Sequence, residues 1–177
     1  SKFESTVSVN TLSADEVIKM APRSAAEVLR AIPGVRSESS AGEGNTNIAV
    51  RGVPIASGGS KFVQLQEDGM PILQFGDIIV GTSDQFLRLD DTLQRVEVLK
   101  GSSAATLASN APAGVINFIS KTGEVEGGSV TVSTGLDYDL FKTGFEYGGA
   151  LNEDWRFHVG GFYREGEGAR EVGFNAS

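Results

Sequence analysis

The sequence predicts an α+β domain, a mixed sheet with short helices, over residues 1–122, followed over residues 123–177 by three antiparallel strands. Three observations predict this. Two helix-start signatures and several short alternating runs fill the chain up to Lys121. Beyond Gly127 the pattern is β-only, with glycine and aromatic enrichment. The last three alternating runs are joined by short connectors, Asp137-Tyr138-Asp139-Leu140 and Asn152-Glu153-Asp154, as in an antiparallel meander.

Taken in order, Thr6-Val7-Ser8-Val9 alternates as a short strand. Ser13 precedes Glu16 by three and Ser24 precedes Glu27 by three, each ahead of apolar residues at helical spacing. This is capping-box spacing, in which the hydroxyl accepts from an orphan N–H and the glutamate reaches back to the cap's own N–H. Pro22 separates the two predicted helices and Pro33-Gly34 stops the second. Ser37 to Thr46 is polar and rich in Gly, Ser and Glu, and reads as a loop. Asn47 to Val53 reads as a strand with Ile48 and Val50 on one face, and Ala56 to Ser60 as a second loop. Phe62 to Glu67 alternates and runs into Asp68-Gly69, a favoured type I′ hairpin turn. After Met70-Pro71-Ile72-Leu73 the chain is irregular to Gln85, and Asp90-Asp91 could cap a short helix through Leu93. Arg95 to Gly101 and Ala113 to Lys121 are predicted strands. The small-residue stretch between them has room for one helical turn near Ala104–Leu107.

In the final third, Val130, Val132 and Leu136 oppose Ser129, Thr131, Ser133 and Gly135. Phe141, Phe145, Tyr147 and Leu151 oppose Lys142, Gly144, Glu146 and Gly148, and Trp155, Phe157, Val159 and Tyr163 oppose Arg156, His158, Gly160 and Arg164. A soluble sheet packed on a core gives the same alternation. Two details favour a membrane. Runs of ~10 residues match a tilted membrane strand, which needs ~9–11. Trp155 and Tyr163 lie ~26 Å apart along a strand, or ~20 Å in height after a ~40° tilt, close to the ~25 Å band between aromatic girdles.

Composition excludes several functions. Fifteen basic against twenty-three acidic residues leave a formal charge of −8, the wrong sign for neutralising phosphates, so no nucleic-acid partner is expected. With no cysteine and one histidine, no metal site, no cofactor and no catalytic residue is predicted. The pairs Glu67-Asp68 and Asp90-Asp91 point apart on a turn or strand and make poor acid/base pairs. Twenty-three glycines in 177 residues are about 13%, nearly twice the usual ~7%.

Several segments together resemble the plug domain of TonB-dependent outer-membrane receptors. They are Ser24 to Val35 (SAAEVLRAIPGV), Ile48-Ala49-Val50-Arg51-Gly52, Leu65 to Pro71 (LQEDGMP), and Arg95 to Gly101 (RVEVLKG) through Ala113 to Lys121 (AGVINFISK). The resemblance covers about residues 5–164 and implies residues 1–122 as plug and 123–177 as the first three antiparallel strands of a transmembrane β-barrel. Three strands cannot close a barrel, so the sequence reads as part of a longer protein. The family implies a bacterial outer membrane location, contact with its lipid, a scarce small-molecule nutrient as ligand, and TonB as energy-coupling partner. TonB would pair as an added strand with an N-terminal segment. That segment is not evident here, because Ser5 to Val9 sits too close to the first helix. Iron–siderophore complexes are the first expected ligand and oligosaccharides the next. The alternative is a soluble periplasmic or secreted ligand-binding domain without transport.

By the same resemblance, Arg51, Arg95, Glu97 and Lys100 are plug charges that pair with the inner barrel wall, against the plainer reading of a solvated strand face. Ser57, Ser60, Lys61, Gln74, Phe75 and Asp77 lie on two loops that would face outward. They offer hydrogen bonds, charge and a stacking surface suited equally to a sugar or a hydroxyl-rich chelate. Trp155 and Tyr163 are the candidate membrane girdle. His158 reads as a hydrogen-bonded residue of the polar face.

Overall fold

A computed structural model describes residues 9–22, 24–41, 44–53, 62–72, 83–87, 89–101, 104, 108, 111–135 and 139–166. The chain divides into two compact units, one of residues 1–89 and 93–120, the other of residues 90–92 and 121–177.

The first unit is built on a five-stranded sheet of β1 (Val9–Ser13), β4 (Val63–Glu67), β5 (Met70–Pro71), β6 (Leu93–Lys100) and β7 (Gly114–Ser120), in the order β1-β6-β7-β4-β5. The sheet is mixed: β4 and β7 run parallel, with Val63 opposite Gly114, while the other pairs are antiparallel. Alternation along β6 and β7 sends side chains into two apolar clusters. Val96, Val98, Ile116 and Phe118 join Leu65 and Leu29 in the main core. Leu99 and Val115 pack with Ala104, Ala108 and Ala111 on the other. Such burial of period-2 rows is what selects the register, since a one-residue slip would exchange the two faces.

Two short helices cover part of this core. α1 (Ala14–Met20) starts at the capping box the sequence predicts: the Glu16 amide donates to Ser13 Oγ, and the Ser13 amide donates to Glu16 Oε2 at 2.8 Å. Only Val17 is buried in α1, whereas α2 (Ala25–Arg30) buries Ala25, Ala26, Val28 and Leu29. At α2 the capping box does not form. Ser24 is the N-cap residue but makes no side-chain cap bond, and the Glu27 amide donates to the Ser24 carbonyl instead.

Two expectations are corrected. Residues 37–41 and 44–46 are not loop but strand, belonging to β2 (Val35–Ala41) and β3 (Gly44–Val50), which pair with Ser37 opposite Ile48 and Glu38 opposite Asn47. Their polar composition hides them: Ser37 and Thr46 are buried without being apolar, and Val35, Ile48 and Val50 join the core. Asp90-Asp91 caps no helix. Asp90 Oδ1 accepts from the Thr92 amide at 2.9 Å and from its hydroxyl, a local turn that competes with helix formation, and β6 begins at Leu93. The Asp68-Gly69 turn is found as predicted: both residues have positive φ, 50° and 83°, and Glu67 opposes Met70.

The second unit contains a three-stranded antiparallel sheet, β8 (Gly127–Thr134), β9 (Leu140–Ala150) and β10 (Arg156–Gly166), in the order β10-β9-β8. Val130 opposes Phe145, and Tyr147 opposes Gly128 on one side and Val159 on the other. The sheet is open at β8 and β10 among the described residues. No helix among them is long and apolar enough to cross a membrane, which says nothing of strands.

Candidate functional site

The candidate ligand residues Ser57, Ser60, Lys61, Gln74, Phe75 and Asp77 lie outside the described residues. The strand ends that flank them are described. Phe62 precedes β4, and its carbonyl accepts from the Ala113 amide at 3.0 Å. The Ile72 amide donates to Leu65 O, so the chain leaves β5 heading back along β4. Phe62 and Ile72 thus lie toward the end of the sheet where β6 finishes at Lys100 and β7 starts at Gly114.

The four charged residues of the first unit separate by strand parity. Arg95 and Glu97 share one face of β6, where Arg95 Nε lies 2.7 Å from Glu97 Oε1 and Arg95 Nη1 donates to Gln94 Oε1 at 2.6 Å. Both side chains are partly exposed, so this pair is worth at most about 1 kcal/mol. Lys100 falls in phase with Val96 and Val98 and is 6% exposed. Its ammonium donates to the Pro33 carbonyl. Burial holds its pKa below the usual lysine value, and the Arg51 guanidinium adds to the shift. Arg51 itself has φ 49° in the turn after β3, and its guanidinium approaches Gly101.

The polar face of the β8–β9–β10 sheet holds a second group. Ser129, Glu146 and Gly160 form one row across the three strands. Glu146 accepts from Ser129 Oγ at 3.0 Å and meets His158 Nε2 at 2.7 Å and Lys121 Nζ at 3.1 Å. His158 is thus a hydrogen-bonded residue of this face, as its position in the alternation predicts. Asp91 and Thr92 press on the same face, where added Cβ atoms at Gly144 and Gly160 would collide with them. Phe162 departs from the alternation, opposing Gly144 on the polar face with Lys142 Nζ 5.5 Å from its ring centroid. Alternation puts Glu146 on this face but does not show it as a hub. The signal was available: folding the hairpin about Asn152–Asp154 puts residues 146 and 158 on one face as diagonal neighbours.

On the opposite face Val130, Phe145, Tyr147 and Val159 are exposed, with Val130 at 75%. Trp155, just before β10, and Tyr163 are also exposed, at 68% and 56%. A contiguous exposed apolar face of this kind marks a surface that is covered in its working environment. No cluster that could hold a metal ion occurs among the described residues.

The fold defines a class, a mixed-sheet α+β domain followed along the chain by an open amphipathic antiparallel sheet. The model of the TonB-dependent receptor plug domain matches residues 1–115, and the chain belongs to this family. The vitamin B12 transporter BtuB of Vibrio vulnificus is 32% identical over 142 residues, covering 76% of this chain and 21% of that protein. The ferrienterobactin receptor of Escherichia coli is 30% identical over 128 residues, covering 67% and 17%. The crystal structure of the siderophore receptor PirA from Acinetobacter baumannii superposes with a TM-score of 0.69 at 26% identity, covering 88% of this chain and 24% of that one. These relatives are transporters and receptors, not enzymes, and the chain spans about a fifth of their length. It comprises the plug and part of the barrel, with an open antiparallel sheet.

Proposed function

We propose that this chain is the plug and first barrel strands of a bacterial outer-membrane receptor that imports a scarce nutrient through TonB-driven rearrangement of the plug. The single observation that carries this is the plug-family match over residues 1–115. The exposed apolar face of β8–β10 supports it, with Trp155 and Tyr163 as girdle residues meeting outer-membrane lipid. An iron–siderophore complex is the favoured ligand, in keeping with relatives that are receptors for ferric enterobactin and other siderophores. Ser57, Ser60, Lys61, Gln74, Phe75 and Asp77 are its proposed plug contacts. Arg51, Arg95 and Glu97 are proposed to face the inner barrel wall, where partly wet ion pairs can be exchanged for water as the plug shifts, whereas Lys100 is buried within the first unit and donates to the Pro33 carbonyl.

Equilibrium binding by the purified full-length receptor tests the ligand class, with ferric catecholate and hydroxamate siderophores, cobalamin and maltodextrins as probes. Submicromolar binding of a ferric siderophore, weakened by K61A or F75A, is expected. Binding of cobalamin or maltodextrin alone would replace the siderophore assignment, and binding of none would overturn the receptor reading.

A further inference from the structure

Lys121 is the first residue after β7 and opens the segment of residues 121–126 that leads into β8. Its ammonium lies 3.1 Å from Glu146 Oε1, which also accepts from Ser129 Oγ at 3.0 Å. Glu146 Oε2 accepts from His158 Nε2 at 2.7 Å; a carboxylate only accepts, so Nε2 carries the hydrogen. The Glu146 and His158 side chains retain just 10% and 8% of their exposure. A carboxylate this buried is costly unless its lone pairs are met. Here three side chains meet them, and one of the three belongs to the connecting segment, not to the sheet.

Backbone packing seats the same segment. Gly123 is buried, and a Cβ there would collide with the Phe157 carbonyl and come within 3.0 Å of the Gly149 amide nitrogen. A Cβ at Gly148 would stand 3.1 Å from Gly123 Cα and 2.6 Å from His158 Cδ2. Glycine at these positions lets the segment and the imidazole lie directly on β9 and β10. The Lys121 amide donates to Thr92 O at 2.8 Å, so the residues entering β6 and those leaving β7 meet on this face.

We propose that Glu146 is a positioning residue that pins residues 121–126 to the polar face through Lys121, holding fixed the point where the chain leaves the plug for the barrel. The proposal rests on the receptor reading for its meaning, but ligand binding, which decides that reading, plays no part in its test.

The test follows trypsin cleavage after Lys121 in the purified full-length receptor, together with hydrogen exchange of residues 121–126, both read by mass spectrometry. A lysine held against Glu146 cannot enter the protease pocket until the segment opens. Losing a part-buried charged pair should therefore raise cleavage in E146Q about tenfold, in proportion to the open population. K121R keeps the pair and should be cleaved as slowly as the unmodified protein, while K121R/E146Q should be fast. S133A, elsewhere on the same face, should change nothing. K121M, a mild change that leaves the sheet intact, should raise exchange of residues 122–126 as much as E146Q does, and the double variant no further, because the two share one interaction. Unchanged cleavage and exchange in E146Q, equal acceleration in S133A, or additive effects in the double variant would overturn the proposal.

Discussion

The side-chain carbonyl of Asn117 accepts the amide hydrogen of Gly69 at 3.0 Å, tying the β4–β5 turn to the parallel neighbour β7. Asp68 reciprocates, its Oδ1 accepting from the Ser120 amide at 2.8 Å. Gly69 has φ +83°, where an L side chain costs roughly 1–2 kcal/mol. G69V should therefore speed hydrogen exchange of the β4 and β5 amides by about tenfold, and N117A by somewhat less, since one exposed hydrogen bond contributes about 1 kcal/mol. Exchange unchanged in both would mean the turn is held by other contacts.

Phe118 is the largest fully buried side chain among the described residues and sits in the main core with Val96 and Leu65. F118A should destabilise the first unit by about 3–5 kcal/mol, the cost of lost transfer energy and a cavity. Its neighbour Ile119 points to the other face and is half-buried. I119A should cost clearly less. Pulse proteolysis in urea on the full-length receptor separates the two.

Two charged groups of the first unit give pH dependences of opposite origin but the same sign. Hydrogen bonds from the Ser13 amide and hydroxyl hold the Glu16 carboxyl below its ordinary 4.5. Its stabilisation is present above that value and lost as pH falls through the lower, folded-state pKa. Burial, with Arg51 adding, places the Lys100 pKa below the ordinary 10.5. Between the two values the unfolded chain holds more protons, so stability rises with pH through that alkaline window. E16Q should flatten the acid limb of a stability–pH profile and K100M the alkaline rise, each leaving the other limb unchanged.

Val130 and Thr131 are adjacent on β8 but face opposite sides, Val130 opposite Phe145 and Thr131 opposite Gly144. If the apolar face meets lipid, V130R should weaken folding into bilayers by about 2–4 kcal/mol, while T131R, on the interior side, should cost much less. Equal effects of the two would favour a sheet wet on both faces.

What was legible in the sequence was local chemistry. The Asp68-Gly69 turn needs only two residues that tolerate positive φ, and the capping box of α1 only a serine and a glutamate at the right spacing. Alternation showed β6 and the three last strands, and a run of apolar, β-branched residues showed β7, which is apolar on both faces. The β2–β3 pair was hidden because its residues 37–41 and 44–46 are mostly polar, and pairing partners rather than side-chain period define it. Ser24 had the capping spacing of Ser13 yet makes no cap bond, since spacing permits a bond without requiring it. Parity could have told Lys100 from Arg95 and Glu97. The role of Glu146 needed the register of two hairpins and the return of Lys121, which local pattern does not carry.

Ferric siderophore accumulation in iron-starved cells carrying the full-length receptor, compared with and without TonB, decides whether this protein is a TonB-driven importer. Radiolabelled iron uptake is expected to require both the receptor and TonB and to disappear when the proton gradient is collapsed. Uptake by the receptor that proceeds equally without TonB, or identical accumulation in cells lacking the receptor across the whole panel of ferric siderophores, would contradict this reading.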